Sequence, residues 1–427
     1  MNTSAVTPPS PKPSGGYELV RLGYVARLQN GLTVDAKRDV TGDVVTSPYL
    51  RVANVQAGSL DLESVTEITV PRSVAQRCTL RPGDVLMTEG GDLDKLGRGT
   101  VWQGELDRCL HQNHIFAVRP DPQRLSGRFL AYVTQSLYGR HYFESTGTRT
   151  TNLASTNSSK IQSFPLPLPP LNEQHRIADF LDGELGKLND LVAKKLRLVS
   201  LMDERIDSRV LQHVRSSKLV HPSTGGPVLP IRRALTKVTR PAVSNAGVIT
   251  AYRDGQVTER SLRRAEGYTL SASTDPQGQH VQVGDIVVHG LDGFAGAIGT
   301  SEAVGNCSPV YHVCVPNGDN DARFMGRLLR LLALQGYLGN FATSTRERAV
   351  DFRNWDLFGR IPIPVVPPDE QREIGTWITR LRPLRELIAR SVELATERRQ
   401  ALITAAVTGQ FDVSTASGRN VTDGVTA

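Results

Sequence analysis

Two long runs in the chain place apolar residues at alternating steps of three and four. The first carries Ile177, Leu181, Leu185, Leu188, Val192, Val199, Met202, Ile206, Val210 and Val214. The second carries Ile374, Ile378, Leu381, Leu384, Ile388, Val392, Ala395, Leu402 and Ala406. Such spacing puts a narrow apolar seam on one side of a helix, as in a coiled coil. Each run extends about 60 Å at 1.5 Å per residue. A seam that long needs a partner of its own length, and the pattern predicts that the two helices pair, antiparallel if the halves are related by a twofold. The helix starts are predicted at Asn172 and Asp369, both N-cap types, after the extended Pro170 and Pro368. Gly183 and Gly186 weaken the first helix, and Pro383 interrupts the backbone bonding of the second.

The segments between the runs alternate differently. "SPYLRVANVQAGSLDLESVTEITV" has the period of two expected of strands, with Gly58 at a turn. "RFLAYVTQSLYGRHYF" and "RFMGRLLRLLALQGYLGNFA" read as amphipathic helices in matching places of the two halves. The repeat is sharpest where "PLPLPPLNEQHRIADFL" (from Pro165) answers "PIPVVPPDEQREIGTWI" (from Pro362), with Glu173-Gln174 and Glu370-Gln371 in register. Further on, "MDERI" at Met202 answers "TERRQ" at Thr396, a slip of about four residues, close to one helical turn. "LRPGDVLMTEGG" and "VQVGDIVVHGLDG" repeat a Gly-Asp turn followed by an apolar strand. The expected fold class is therefore α+β: two globules, divergent in sequence, and a pair of long antiparallel coiled-coil helices in a pseudo-twofold repeat. The divisions are 1–16 and 412–427 as disordered ends, 17–170 and 218–368 as globules, and 171–217 and 369–411 as long helices.

Composition changes this picture little. The chain has 427 residues, 39% hydrophobic and 22% charged, enough for more than one core. Four cysteines without a C-x-x-C pair point to buried thiols in a reducing cytoplasm. No apolar run approaches a membrane span of ~18 residues. Net charge of +7 favours a polyanion as partner.

Catalytic signatures are missing. There is no phosphate-binding G-x-x-x-x-G-K-[ST] loop, no H-E-x-x-H helix and no G-x-S-x-G elbow. What remains suits recognition. "TEGGDLDKLGRGTVW" from Thr88 is a turn-rich loop carrying Lys95 and Arg98, cations that suit phosphates or guanines, or else a structural loop whose charges are solvated. "LHQNHIF" offers Gln112 and Asn113, side chains able to pair with adenine, or else a hydrogen-bond network bracing the loop. His111 and His114 are too few ligands for zinc. "STGTRTTNLAST" carries Arg149, Thr151 and Asn152, and "TSTRERAVDFRNW" carries Arg346, Arg348, Arg353 and Asn354 at the matching place. Arg253, in "AYRDG", joins this second set.

These segments together resemble the specificity subunit of a type I restriction–modification system, from about Gly23 to Phe411. The two Pro…Glu-Gln stretches, "YLRVANVQAG", "LRPGDVLMTEGGDLDKLGRG", "HQNHIF", "TTNLAS" and the closing "ERRQALITAAVTGQFDV" carry the likeness. The resemblance implies two target recognition domains reading the halves of an asymmetric, split site on double-stranded DNA. It implies helices that act as a ruler, at most about 18 base pairs for 60 Å, and that dock two modification subunits. It implies no catalysis, metal or cofactor in this chain. S-adenosylmethionine, ATP and Mg belong to the modification and restriction/translocase subunits. Where "GGDLDKLGRG" would recur the second half has "GLDGFAGAIG", so the two half-sites should differ. Two other classes are carried beside it: a coiled-coil adaptor that binds protein without reading DNA, and a nuclease using Asp254, Glu259 and Asp285.

Overall fold

The structure, a computed structural model, describes residues 16–33, 42–56, 58–91, 96–149, 154–216, 228–263, 278–341 and 351–414. Its contacts divide the chain into two units: residues 1–193 with 391–427, and residues 194–390. Four helices organise them: α1 (Gly127–Gln135), α2 (Leu171–Ser216), α3 (Ala322–Leu334) and α4 (Pro368–Val407). The first unit holds the start of α2 and the end of α4; the second holds the end of α2 and the start of α4.

Each unit is built on a four-stranded antiparallel sheet. In the first, β1 (Ala26–Asn30), β2 (Val85–Thr88), β3 (Gly99–Val101) and β4 (Ile115–Pro120) stand in the order β1-β4-β2-β3. In the second, β5 (Leu235–Val238), β6 (Ile286–His289), β7 (Ile298–Thr300) and β8 (Tyr311–Pro316) stand in the order β5-β8-β6-β7. The order is the same, so the faint Gly-Asp repeat marks the same strand twice. Strand β2 reads as an unbroken apolar run because both its faces are covered. Val85 and Met87 face the cluster of α1 and the long helices, while Leu86 faces the cluster of Leu50, Val55 and Trp102. Strand β6 divides likewise, Ile286 and Val288 to one side and Val287 to the other. This is the period of two of a strand.

The Gly-Asp turn ahead of each central strand carries a buried ion pair. Gly83 and Gly284 both have φ of +92°, the left-handed conformation that glycine adopts without strain. Asp84 accepts the backbone N–H of Arg81 and both forks of Arg119 at 2.7 Å. Asp285 accepts from the backbone of Gln282 and from Arg240. Asp285 is thus engaged as a structural acceptor, and Asp254 pairs with Arg263 at 2.9 Å.

The long helices begin slightly earlier than their capping residues suggest. Helix α2 opens at Leu171 and α4 at Pro368, so Asn172 and Asp369 lie in the first turn. The N–H groups of Glu173 and Gln371 reach the carbonyls of Pro170 and Pro367. Helix α4 runs unbroken past Pro383. In the second unit the two helices are antiparallel: His213 meets Glu370, Arg209 meets Glu373, and Asp203 meets Arg385. Arg209 also covers the Trp377 ring at 5.0 Å, a cation–π contact. In the first unit Ile177, Leu181 and Leu185 of α2 share a core with Leu402, Ile403, Ala406 and Val407 of α4. Phe411 and Val413 also pack on that core.

Each globule's helix is gripped by the long helices, α1 by both. Arg128 of α1 pairs with Asp179 and Asp182 of α2, and Gln400 and Thr404 of α4 bond Gln135 and Leu137 at the end of α1. In the second unit Arg327 of α3 binds Asp203 and Asp207 of α2 at 2.9 and 2.5 Å. Gln400 and Thr404 stand 197 positions after Asp203 and Asp207, the spacing of the Glu-Gln pairs. The long-helix positions that make these contacts therefore stand at the Glu-Gln spacing, without the four-residue slip that the sequence match implies, although their partners differ.

Gly183 and Gly186 have nothing within 4 Å of where a Cβ would stand. Gly183→Ala is expected to stabilise the first unit by about 1 kcal/mol, because alanine loses less backbone freedom in a helix and meets no clash. Urea unfolding of the variant checks this; an unchanged or lower midpoint would show a conformational need for the glycine.

Candidate nucleic-acid interface

Two stretches singled out separately in the first half meet on one small sheet. Gly90–Gly91, just after β2, pairs with Ala154–Ser155, which pairs with Thr148–Arg149. The loop bearing Lys95 and the loop bearing Thr151 and Asn152 thus leave the same sheet. Lys95, Thr151 and Asn152 lie outside the described residues, as does the side chain of Arg149. The base of the sheet is fixed by Glu89. Its N–H donates to His114 O at 2.9 Å, its carbonyl accepts from Thr156, and its carboxylate meets His114 Nδ1 at 2.5 Å. Arg98 sits at the end of the same loop, half-buried, one residue before β3 and one after Gly97 with φ +65°.

Gln112 and Asn113 belong to the bracing of this region. Gln112 Oε1 accepts from Val52 N at 3.4 Å, and its own N–H donates to Leu50 O. Asn113 N–H donates to Leu32 O at 2.9 Å. Their neighbour His111 is fully buried. Burial pushes its pKa down to about 4, so at neutral pH Nδ1–H donates to Ile115 O at 2.9 Å and Nε2 accepts from Gln29 Nε2 at 3.3 Å.

The sign of the pH effect follows. An unfolded histidine takes a proton near pH 6.5; folded His111 resists until about 4. Its contribution is complete above about 6.5 and is lost as pH falls towards 4, on the order of 3 kcal/mol. Burial depresses His289 and His312 in the same direction. Urea midpoints between pH 7 and 4.5 should fall in the parent and fall less steeply in His111→Asn. An equal slope in the two would exclude His111 as a source.

The second unit repeats the juxtaposition with other side chains. The segment after β6, Gly290–Asp292, meets residues 351–354: Phe352 N–H donates to Gly290 O at 2.7 Å. Arg253 reaches the same segment through Asp292 at 2.8 Å. Arg353 is exposed and folds onto Asp351, with Nη2 at 2.6 Å, which lowers the Asp351 carboxyl's pKa. Asn354 caps a short helix, its Oδ1 accepting from Asp356 N at 2.9 Å. Buried His312 donates Nε2–H to Phe352 O at 2.6 Å and holds the segment down. Arg346 and Arg348 lie outside the described residues. Thus Arg253 and Arg353 share one loop cluster, while Asn354 serves the backbone.

The glutamines of the repeated Glu-Gln pairs join globule to helix. Gln174 is fully buried. Its Oε1 accepts the N–H of Ser126, the residue before α1, and its Nε2 donates to Arg124 O and Pro169 O, each at 2.9 Å. Gln371 repeats this: Oε1 accepts from Asp321 N at 3.0 Å, the residue before α3, and Nε2 donates to Val366 O and Asn320 Oδ1. The adjoining glutamates differ, Glu173 accepting from Tyr17 OH and Glu370 meeting His213. The repeated Glu-Gln was the signal; the amide carries the repeated contact.

Residues 15–199 match the family described as the type I restriction modification DNA specificity domain. The chain is 24% identical over 166 residues to a putative type I restriction enzyme specificity subunit, MjaX, of Methanocaldococcus jannaschii, a match covering 38% of each. It is 26% identical over 165 residues to the type I restriction enzyme StySPI specificity subunit of Salmonella potsdam, covering 38% of this chain and 35% of that one. Both matches span less than two-fifths of the relative's own length. A solved structure described as the structural basis underlying complex assembly and conformational transition of the type I R-M system is similar over 94% of this chain and 100% of its own, with a TM-score of 0.53. At 16% identity that likeness is one of fold.

Proposed function

We infer that this chain, which belongs to the type I restriction–modification specificity family, recognises double-stranded DNA through two separate readers and carries out no catalysis itself. The observation that carries this is the repetition of one scaffold with different loops. The same four-stranded order occurs twice, and in each unit the segment after the central strand meets an Arg-bearing segment. The loops differ in sequence, "GGDLDKLGRG" against "GLDGFAGAIG", so the two units suit different sequences. Contacts of Arg and Lys to phosphate set affinity, and contacts to base edges set sequence.

The bipartite reading assigns residues 17–170 and 218–368 as target recognition domains, joined by the long helices. Lys95, Arg98, Arg149, Thr151, Asn152, Arg253, Arg346, Arg348 and Arg353 remain the candidate DNA contacts, with Gln112, Asn113 and Asn354 supporting them. Two modification subunits are the proposed partners of the helices, which expose Leu198, Leu201, Leu384 and Leu387. Restriction subunits would complete a cleaving complex in the cytoplasm. Among the described residues no helix is long and apolar enough to cross a membrane.

The test is to reconstitute the chain with its modification subunits and map the methylated sites. A split site with two unlike halves is expected. A single continuous site would sink the two-reader model, and DNA binding insensitive to salt would favour the adaptor reading.

A further inference from the structure

We propose that Arg399, on long helix α4, is a phosphate contact of the first reader, so that the scaffold itself helps to hold the DNA backbone. The proposal rests on the DNA-reading function above. Arg399 is half-buried within the first unit, and its Nη2 donates to Gln135 Oε1 at 3.2 Å, a neutral amide. Gln135 Nε2 in turn donates to Gly99 O at 3.2 Å. Arg399 is thereby tied through one side chain to the residue next to Arg98. Burial works most against the Arg399 cation; Tyr132 favours it, and the nearby charge of Arg98 opposes it. An anion brought up to Arg399 would relieve that opposition.

There is room for one. A cleft of about 420 Å³ opens on Arg399, Gln135, Thr100, Gln103 and the turn at Gly58 and Ser59. Two carboxylates line the same cleft. Asp182 is occupied by Arg128 and Tyr132, and Glu105 accepts from the backbone of Gln103 at 2.9 Å. A guanidinium with a planar fork of donors suits a phosphodiester better than it suits a point cation's role.

The second unit places a guanidinium at the same spot by another route. Gly58 and Gly255 are turn glycines with φ of +79° and +88°. A Cβ on Gly58 would stand 3.0 Å from Gln135 Oε1; one on Gly255 would stand 2.5 Å from Arg330 Cδ. Arg330 of α3 therefore occupies the place of Gln135. Its Nη2 donates to Arg253 O at 3.2 Å, and its Nε is buried without a hydrogen-bond partner among the described residues. One unit draws the cation from its own helix and the other from α4. A requirement for positive charge at this turn explains both.

The experiment uses the full chain with its modification subunits and duplexes with and without the mapped site. Arg399→Gln keeps a polar contact to Gln135 and removes the charge. It should weaken binding to both duplexes alike, roughly fivefold at 0.15 M salt, and make the slope of log K against log salt shallower by about 0.9. Arg399→Lys should keep the slope. The methylated sequence should not change, and thermal unfolding should match the parent. An Arg399→Gln slope equal to the parent's would overturn the proposal, as would a changed target sequence. Protection of the parent alone by inorganic phosphate, with the DNA slopes equal, would assign the site to a free anion and also overturn it. A parent that binds DNA without salt dependence would instead overturn the function on which the proposal rests.

Discussion

Gln174→Leu is expected to destabilise the first unit by about 3–5 kcal/mol, and Gln371→Leu the second by a similar amount. Leucine fills the volume but leaves two partners of Gln174 buried and unsatisfied, Ser126 N–H and Pro169 C=O, and takes the amide from the part-exposed C=O of Arg124. Each such group costs ~1–3 kcal/mol when its partner is removed. Gln→Glu is expected to be no better, because an ionised carboxylate cannot donate to two carbonyls. Glu173→Gln should cost under about 1 kcal/mol, since Tyr17 O–H can donate to an amide oxygen as well. Urea unfolding, with hydrogen exchange at the first turns of α1 and α3, separates these outcomes. A loss below 1 kcal/mol in Gln174→Leu would mean that packing, not the amide, joins globule to helix.

That expectation locates what the sequence could and could not express. The long helices were legible because their seam is local and periodic, and the structure forms them at Leu171–Ser216 and Pro368–Val407. Their N-caps were less legible: Asn172 and Asp369 lie inside the first turn, since the Pro-rich approach satisfies the first N–H groups through Pro170 and Pro367 carbonyls. Strand identity was legible from "GDVL" and "GDIV"; strand order was not, because pairing such as Val85 with Val118 is set by tertiary contacts. The site was legible as two loops per half, not as one cluster. Nothing in "TEGG" or "TTNLAS" announces that Gly91 pairs with Ala154. Gln112 and Asn354 carry chemistry equally suited to bases and to backbone, and the folded backbone around them takes up their side-chain oxygens. Arg399 lay in a run assigned to scaffold, so its nearness to Arg98 had no local signal.

Exchanging residues 17–164 for the corresponding segment of another family member is expected to change one half of the recognised site and leave the other intact. The physical reason lies in how the first globule is held. Gln174 addresses it only through backbone atoms, the N–H of Ser126 and the C=O of Arg124. A contact to backbone places no demand on side-chain identity, only on the turn before α1. The side-chain grips, such as Arg128 with Asp179, are exposed and individually weak. A reader that keeps this turn can therefore vary freely in its loops without losing its seat on α2. Specific sites are bound ~10³–10⁷ times more tightly than other DNA, so a lost half-site should abolish methylation of the old sequence and not merely reduce it. Methylome sequencing of a host carrying the chimera measures both halves at once. Change in both halves, or retention of the original site, would show that the readers are not separable. A chimera in which Gln174 is also changed to Leu should fail to protect either site, because the new reader would then have lost the contact that seats it.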